Sequence, residues 1–224
     1  MPCSVTDAKI IEKTQLSVNL MRLVLAPETY IPYQAGQYLQ ILSDSRHEPL
    51  SYSIANAPNQ TQTYELHMRQ SPNAAIKHQQ NIRIQLPFGA CTLTSITKRP
   101  LLFIAGGTGF APIKALLEQL IIEKNQNPVH LYWSARSSDG LYLNSTVKAW
   151  TKKYQWFHYY PRVSAQDESS IIPFLSNQQI EPIHLKDWEI ILAGPFNMVY
   201  SIRDELIRYD IPRNQLHSDA FDFE

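Results

Sequence analysis

Gly106-Gly107-Thr108-Gly109 places three glycines in four residues between an apolar run and a helical pattern, and the chemistry such a turn can serve is the binding of a phosphate. Bare backbone N–H groups at a positive helix end attract an anion, and the absence of β-carbons lets it come close. The turn is not a P-loop, because no Gly-Lys-Ser/Thr follows it. It is not G-x-G-x-x-G either, since Pro112 stands in the last glycine's place. Taken alone, it reads equally well as a tight strand-to-helix turn that needs glycine only for its geometry.

The elements that would hold this turn are visible on both sides. Leu101-Leu102-Phe103-Ile104-Ala105 reads as a short strand buried on both faces. After the turn, Ile113, Leu116, Leu117, Leu120 and Ile121 fall on one helical stripe, with Pro112 in the first turn where it is tolerated. Further strands are predicted at 129–133, 157–160 and 189–193, with a helix around 143–153 and another carrying Met198, Val199, Ile202, Leu206 and Ile207. Alternating strands and helices predict a doubly wound parallel α/β sheet, whose ligands bind beyond the carboxyl ends of the strands. Three such ends stand out: Gly106 to Gly109, Ser134 to Arg136, and Gly194-Pro195.

Before Lys98-Arg99-Pro100 the pattern differs. A β-rich run from Ser17 to Pro27 (SVNLMRLVLAP), then 37–42, 64–69 and 81–86, have the short period of strands, separated by turn residues as small antiparallel β-barrels and sandwiches require. A short helix is possible at 73–80. The expected organisation is therefore a β-barrel domain over 1–97 and an α/β domain over 98–224.

Composition excludes several functions. Lysine plus arginine (20) equals aspartate plus glutamate (20), so no long-range field recruits nucleic acid or an anionic membrane. The histidines, His47, His67, His78, His130, His158, His184 and His217, show no metal-ligand spacing, and no G-x-S-x-G elbow marks a serine hydrolase. His67 and His130 lie in strand-like runs and read first as structural. Two cysteines, Cys3 and Cys91, form neither a disulfide framework nor a metal site. No signal peptide or membrane-spanning run is visible, so a soluble cytoplasmic protein is expected.

Across nearly the whole chain, a set of motifs now falls in order. Ala35-Gly36-Gln37-Tyr38 precedes Glu48-Pro49-Leu50-Ser51-Tyr52-Ser53-Ile54-Ala55. Then come Ile104-Ala105-Gly106-Gly107-Thr108-Gly109-Phe110-Ala111-Pro112, Leu131-Tyr132-Trp133 with Arg136, Leu192-Ala193-Gly194-Pro195-Phe196-Asn197-Met198, and Ser218-Asp219-Ala220-Phe221. This pattern resembles the ferredoxin-NADP reductase superfamily, and within it the short bacterial NAD(P)H:flavin oxidoreductases that lack a ferredoxin domain.

The resemblance implies an N-terminal flavin-binding barrel, a C-terminal NAD(P)H-binding domain, and direct hydride transfer from nicotinamide C4 to flavin N5, with release of reduced riboflavin, FMN or FAD. It implies that Ser51 is catalytic, its neutral hydroxyl lying near flavin N5. Flavin-side contacts are implied at Pro49, Leu50, Ser51, Tyr52, His67 and Arg69. Nucleotide-side contacts are implied at Gly106, Gly107, Thr108, Gly109, Pro112, Gly194, Pro195 and Phe221. Arg136 falls near the expected adenosine ribose, where it could pair with a 2′-phosphate or lie solvated.

Departures from the superfamily pattern shape the expectation. Glu48 stands where an arginine usually grips the flavin phosphate, and Leu50 where an aromatic usually packs on the ring. Gln70-Ser71-Pro72-Asn73 replaces a glycine-containing phosphate loop, and Ala193 replaces a cysteine, as it does in the flavin-reductase branch. A carboxylate repels phosphate, so flavin is expected as a diffusible substrate, with Arg46 or Arg69 able to supply the lost charge. A reductase that keeps FAD and passes electrons to a ferredoxin or oxygenase partner is the alternative, and a nucleotide-binding regulator without catalysis is a third. A flavin-dependent oxygenase is a possible downstream partner; no metal, nucleic acid or membrane partner is expected.

Overall fold

The computed structural model describes residues 3–42, 48–69, 79–93, 99–163 and 182–223, which form two compact units: Met1–Leu93 with Ala111–Lys124, and Thr94–Phe110 with Asn125–Glu224.

In the first unit, six antiparallel strands lie in the order β4-β3-β6-β1-β2-β5: β1 (Ser4–Ser17), β2 (Leu20–Pro27), β3 (Tyr38–Leu42), β4 (Leu50–Ser53), β5 (Tyr64–Arg69) and β6 (Asn81–Phe88). A bridge between Ile54 and Leu66 joins the two outer strands, so the sheet closes into a barrel with no long open edge. Leu23, Leu25, Leu39, Ile54, Tyr64, Leu66, Ile84 and Leu86 fill its interior. Each such fully buried side chain contributes about 1.5–3 kcal/mol of transfer free energy.

The run from Ser17 to Pro27 is not one strand. Ser17 pairs with Leu20, so Val18 and Asn19 form the hairpin turn and Val18 is exposed. The β-branched valine carried a strand propensity that the turn overrides. The helix possible at 73–80 falls mainly outside the described residues.

Strand β5 is buried on both faces, which an antiparallel barrel strand seldom is. Tyr64, Leu66 and Met68 face the barrel core, while Glu65 and His67 alternate onto the outer face. That face is covered by helix α1 (Phe110–Ile122). Its residues Ile113, Leu116, Leu117 and Leu120 are buried as the stripe requires, and so is Lys114.

The second unit is a five-stranded parallel sheet in the order β11-β10-β7-β8-β9: β7 (Leu101–Gly106), β8 (Val129–Ala135), β9 (Phe157–Val163), β10 (Glu189–Ala193) and β11 (Leu216–His217). The chain runs outward from β7 through β8 to β9, then returns to the other side of β7 as β10. The point of reversal is thus between β7 and β10. Helix α2 (Asn144–Lys153) precedes β9, and α3 (Phe196–Arg208) buries Met198, Val199, Ile202 and Leu206. Tyr132 and Tyr160 stack in register across β8 and β9, with His130 and His158 two pairs along on the same face. Burial, aided by the charge of His158, pushes the His130 imidazole down to about 4, so this ring is neutral at pH 7.

The outer face of β5 carries a cluster of charges. Glu65 receives Arg22 Nε at 2.8 Å, His67 Nε2 at 2.9 Å and Lys114 Nζ at 3.1 Å. Burial alone would raise its carboxyl, but the His67 hydrogen bond, the charge of Lys114 and the Arg22 hydrogen bond outweigh it and hold the group down to about 2. Burial in turn keeps His67 below the ordinary imidazole value, so the neutral ring donates Nε2–H. The Glu65 carboxyl starts from an ordinary value of 4.5, so its stabilisation is complete above that pH and is lost as pH falls toward about 2. Glu65→Gln is expected to cost about 3 kcal/mol at pH 7 in urea denaturation, as breaking one partner of a buried pair does. The gap to wild type should close as the wild-type carboxyl becomes protonated.

Candidate functional site

The glycine turn lies where the sheet reverses direction. Gly106 ends β7, residues Gly107–Gly109 form a 3-10 turn, and α1 begins at Phe110. Gly107 has φ +53°, the left-handed region that glycine enters without a steric penalty. A β-carbon at Gly109 would stand 2.1 Å from the carbonyl oxygen of Ala193, at the end of the neighbouring strand β10. The backbones of the two strand ends therefore approach closer than any other residue permits. No side chain caps the turn at Gly106, and no acidic residue stands in the first turn of α1. A glycine turn that leads into a helix N-terminus can bind an anion such as a pyrophosphate through its backbone N–H groups.

Gly194 and Pro195 form the facing lip, and the thioether of Met198 closes the space beneath them. A β-carbon on Gly106 would meet Met198 Sδ at 2.4 Å, and one on Gly194 would meet Met198 Cε at 2.7 Å. Trp133 secures the turn from the other side. Its indole Nε1–H donates to Gly107 O at 2.9 Å, and its fully buried ring stacks on Phe110 at 3.9 Å. Sequence reasoning noted Trp133 as the end of a strand and as part of the Leu131-Tyr132-Trp133 motif, without a role at the turn. A tryptophan at the carboxyl end of the neighbouring strand was the available signal, since a buried indole needs an acceptor.

On the barrel, β4 has the local character expected of a strand with one face buried. Leu50 and Tyr52 pack against the barrel core, and the alternation between them leaves Ser51 exposed. Ser51 pairs with Gln40 of β3. Glu48 and Pro49 precede it and are exposed as well. A neutral hydroxyl on the outside of a fixed strand can donate or accept one hydrogen bond without bringing charge.

Residues 103–204 match the family described as the oxidoreductase NAD-binding domain. The chain is 32% identical to the CDP-6-deoxy-L-threo-D-glycero-4-hexulose-3-dehydrase reductase of Yersinia pestis, an alignment spanning 98% of this chain and 68% of that protein. It is 27% identical to the NAD(P)H-flavin reductase of Vibrio harveyi, over 93% of this chain and 94% of the relative. The structure of a ferredoxin NADP+ reductase from Neisseria gonorrhoeae with bound FAD and NADP superposes with a TM-score of 0.74 at 19% identity, covering 92% of this chain and 91% of that one. The chain belongs to the ferredoxin-NADP reductase superfamily.

As a superfamily oxidoreductase, it has the two-unit architecture of an antiparallel barrel and a parallel α/β sheet. The structure brings Gly106, Gly107, Thr108, Gly109, Gly194 and Pro195 together at the carboxyl ends of the adjacent interior strands β7 and β10, with Pro112 in the first turn of α1. Arg136 is exposed just beyond β8. Phe221 is half-buried within the second unit, with the Arg213 guanidinium 4.0 Å above its ring; its neighbour Ala220 accepts from Tyr200 Oη at 2.7 Å. Arg69 is exposed at the end of β5, whereas His67 is buried against Glu65. Arg46 and the segment 70–73 lie outside the described residues. Among the described residues no cluster of metal ligands occurs, and no helix is long and apolar enough to cross a membrane.

Gly109→Ala is expected to raise the KM for NAD(P)H about tenfold or more, equivalent to about 1.4 kcal/mol. Steady-state kinetics, with thermal-shift protection by the oxidised nucleotide as a second measure, checks this. An unchanged KM would remove the turn from the nucleotide site.

Proposed function

We propose that this chain is an NAD(P)H-dependent flavin reductase that takes flavin as a diffusible substrate. The nucleotide pyrophosphate lies on the backbone of residues 106–109, its nicotinamide is bordered by Gly194 and Pro195, and flavin is received along β4. The reaction moves a hydride from nicotinamide C4 to flavin N5. Ser51 orients the flavin through its hydroxyl, and Leu50 and Tyr52 hold the strand to the core so that the hydroxyl is already aimed.

The observation that carries the reading is Glu48. This exposed carboxylate precedes Ser51 where the superfamily's phosphate-gripping arginine would stand, which disfavours a tightly held flavin phosphate. Recognition then falls on the flavin ring and ribityl chain. Micromolar affinity, about 8 kcal/mol, permits repeated exchange of flavin, whereas a prosthetic group is held far more tightly. Reduced flavin is passed to a flavin-dependent acceptor such as an oxygenase. A reducing cytoplasm suits Cys3 and Cys91, which form no disulfide.

A second reading rests on the Yersinia pestis relative, whose identity exceeds that of the flavin reductase and whose name ties it to a dehydrase. On that reading FAD stays bound and electrons pass to a protein partner or ferredoxin.

NAD(P)H oxidation by colourless protein, with and without riboflavin, FMN or FAD, separates the two. Activity only with added, saturable flavin is expected; stoichiometric FAD surviving gel filtration would select the second reading. Ser51→Ala should lower turnover about 10- to 100-fold, the equivalent of one lost hydrogen bond at 1.4–2.7 kcal/mol, with the KM for NAD(P)H within about twofold. Glu48→Arg should tighten FMN and FAD binding but leave riboflavin nearly unchanged, as read by quenching of flavin fluorescence.

A further inference from the structure

The segment that leaves β4, residues 54–57, is buried throughout, and its backbone polar groups are held from several elements. Ile54 N donates to Gln37 O at 3.0 Å, and Ala55 N donates to Glu65 O at 2.7 Å. Asn56 O accepts from Tyr33 Oη at 2.8 Å, and the Asn56 side chain accepts from Glu65 N at 2.7 Å and donates to Ala57 O at 3.1 Å. Two contacts are of a different kind. Lys114 Nζ donates to Ala55 O at 2.9 Å, and Ala57 N donates to Glu118 Oε2 at 3.0 Å.

Lys114 and Glu118 are one turn apart on α1 and bonded to each other at 2.7 Å. The Lys114 ammonium has three protons and meets three acceptors on three separate elements: Ala55 O beyond β4, Glu65 on β5 and Glu118 on α1. For stability alone this is a poor arrangement. Burying a lysine carries a large desolvation cost, and a methionine of similar reach would cover the same apolar surface without it. What the charged pair supplies, and methionine would not, is direction: it fixes one carbonyl and one amide of a particular segment.

We propose that Lys114 and Glu118 are positioning residues for the flavin-side strand: by fixing Ala55 O and Ala57 N they set the exit of β4 and hence the aim of the Ser51 hydroxyl. This rests on the flavin-reductase reading given above, because it assigns Ser51 its role at flavin. The pair touches neither substrate. Its effect is on how well the strand is oriented once flavin is present.

The test compares wild type with Lys114→Met, Glu118→Ala and Glu118→Gln. Backbone hydrogen exchange over residues 54–57 and flavin affinity by fluorescence quenching are measured beside kcat, both KM values and thermal stability. In Lys114→Met and Glu118→Ala, exchange protection of 54–57 should fall, and kcat at saturating flavin should fall about tenfold, while the KM for NAD(P)H stays within about twofold. Glu118→Gln keeps an oxygen for Ala57 N and should recover most of the lost kcat. Glu118→Ala leaves the Lys114 contact to Glu65 in place, so it serves if Lys114→Met does not fold.

Lost protection with unchanged kcat would overturn the proposal and leave the flavin-reductase reading standing. A fall in thermal stability alone, with kcat retained, would do the same. Wild-type protein that oxidises no NAD(P)H with any flavin would overturn the underlying reading instead, a result visible before any variant is compared.

Discussion

A single carboxylate, Glu65, ties the outer face of the barrel to the helix that covers it. It gathers a guanidinium from β2, an imidazole from its own strand and an ammonium from α1, and its backbone nitrogen and oxygen hold the segment leaving β4. Such a group is stable only if every partner is present, because a buried charge left alone costs several kcal/mol. The arrangement therefore favours one placement of α1 on the barrel. An apolar interface would tolerate sliding by a residue; a carboxylate with three directed donors does not. The outer link from Arg22 to Glu12 is solvent-exposed and adds little.

In the second unit the governing constraint is distance rather than charge. Parallel strands β7 and β10 pair residue for residue from Leu101 with Glu189 to Ala105 with Ala193, so both end at the same level. Glycines follow on both strands, which lets two loops share a space that any β-carbon would occupy. Met198 fills what remains beneath them, and its unbranched thioether adapts to an irregular gap. Both loops leave the sheet between β7 and β10, where the winding of the chain reverses.

Much of this was legible in the sequence, for reasons that particular residues make plain. Strands β7 and β10 are apolar on both faces, so Leu101-Leu102-Phe103-Ile104-Ala105 and Glu189-Ile190-Ile191-Leu192-Ala193 could be bounded closely, and the glycines after them marked the strand ends. The stripe Ile113, Leu116, Leu117 and Leu120 gave α1 its buried face. Strand β1 was harder to see: its burial alternates with many exposed positions, and irregularities near Glu12 and Gln15 break the period. The charged cluster could not be read at all. Glu65 and Lys114 are far apart in the chain, and each looks like an ordinary solvated side chain until the fold brings them together. The prominence of Ser51 in the motif was legible; the means of holding its strand was not.

That division between the motif and its support bears on how a reductase can use flavin without keeping it. A prosthetic flavin, always present, contributes its own contacts to the order of the strand beneath it. A diffusible flavin arrives at a strand that has to be ordered already, or part of its modest binding free energy is spent on ordering it. At micromolar affinity there is about 8 kcal/mol in all, and freezing even one or two backbone residues costs about 1–2 kcal/mol each. On the proposed reading, a strand whose exit is held by Lys114, Glu118 and Glu65 would remove that cost from each binding event. The buried ions and the exposed hydroxyl would then be two sides of one requirement: weak binding combined with fixed geometry.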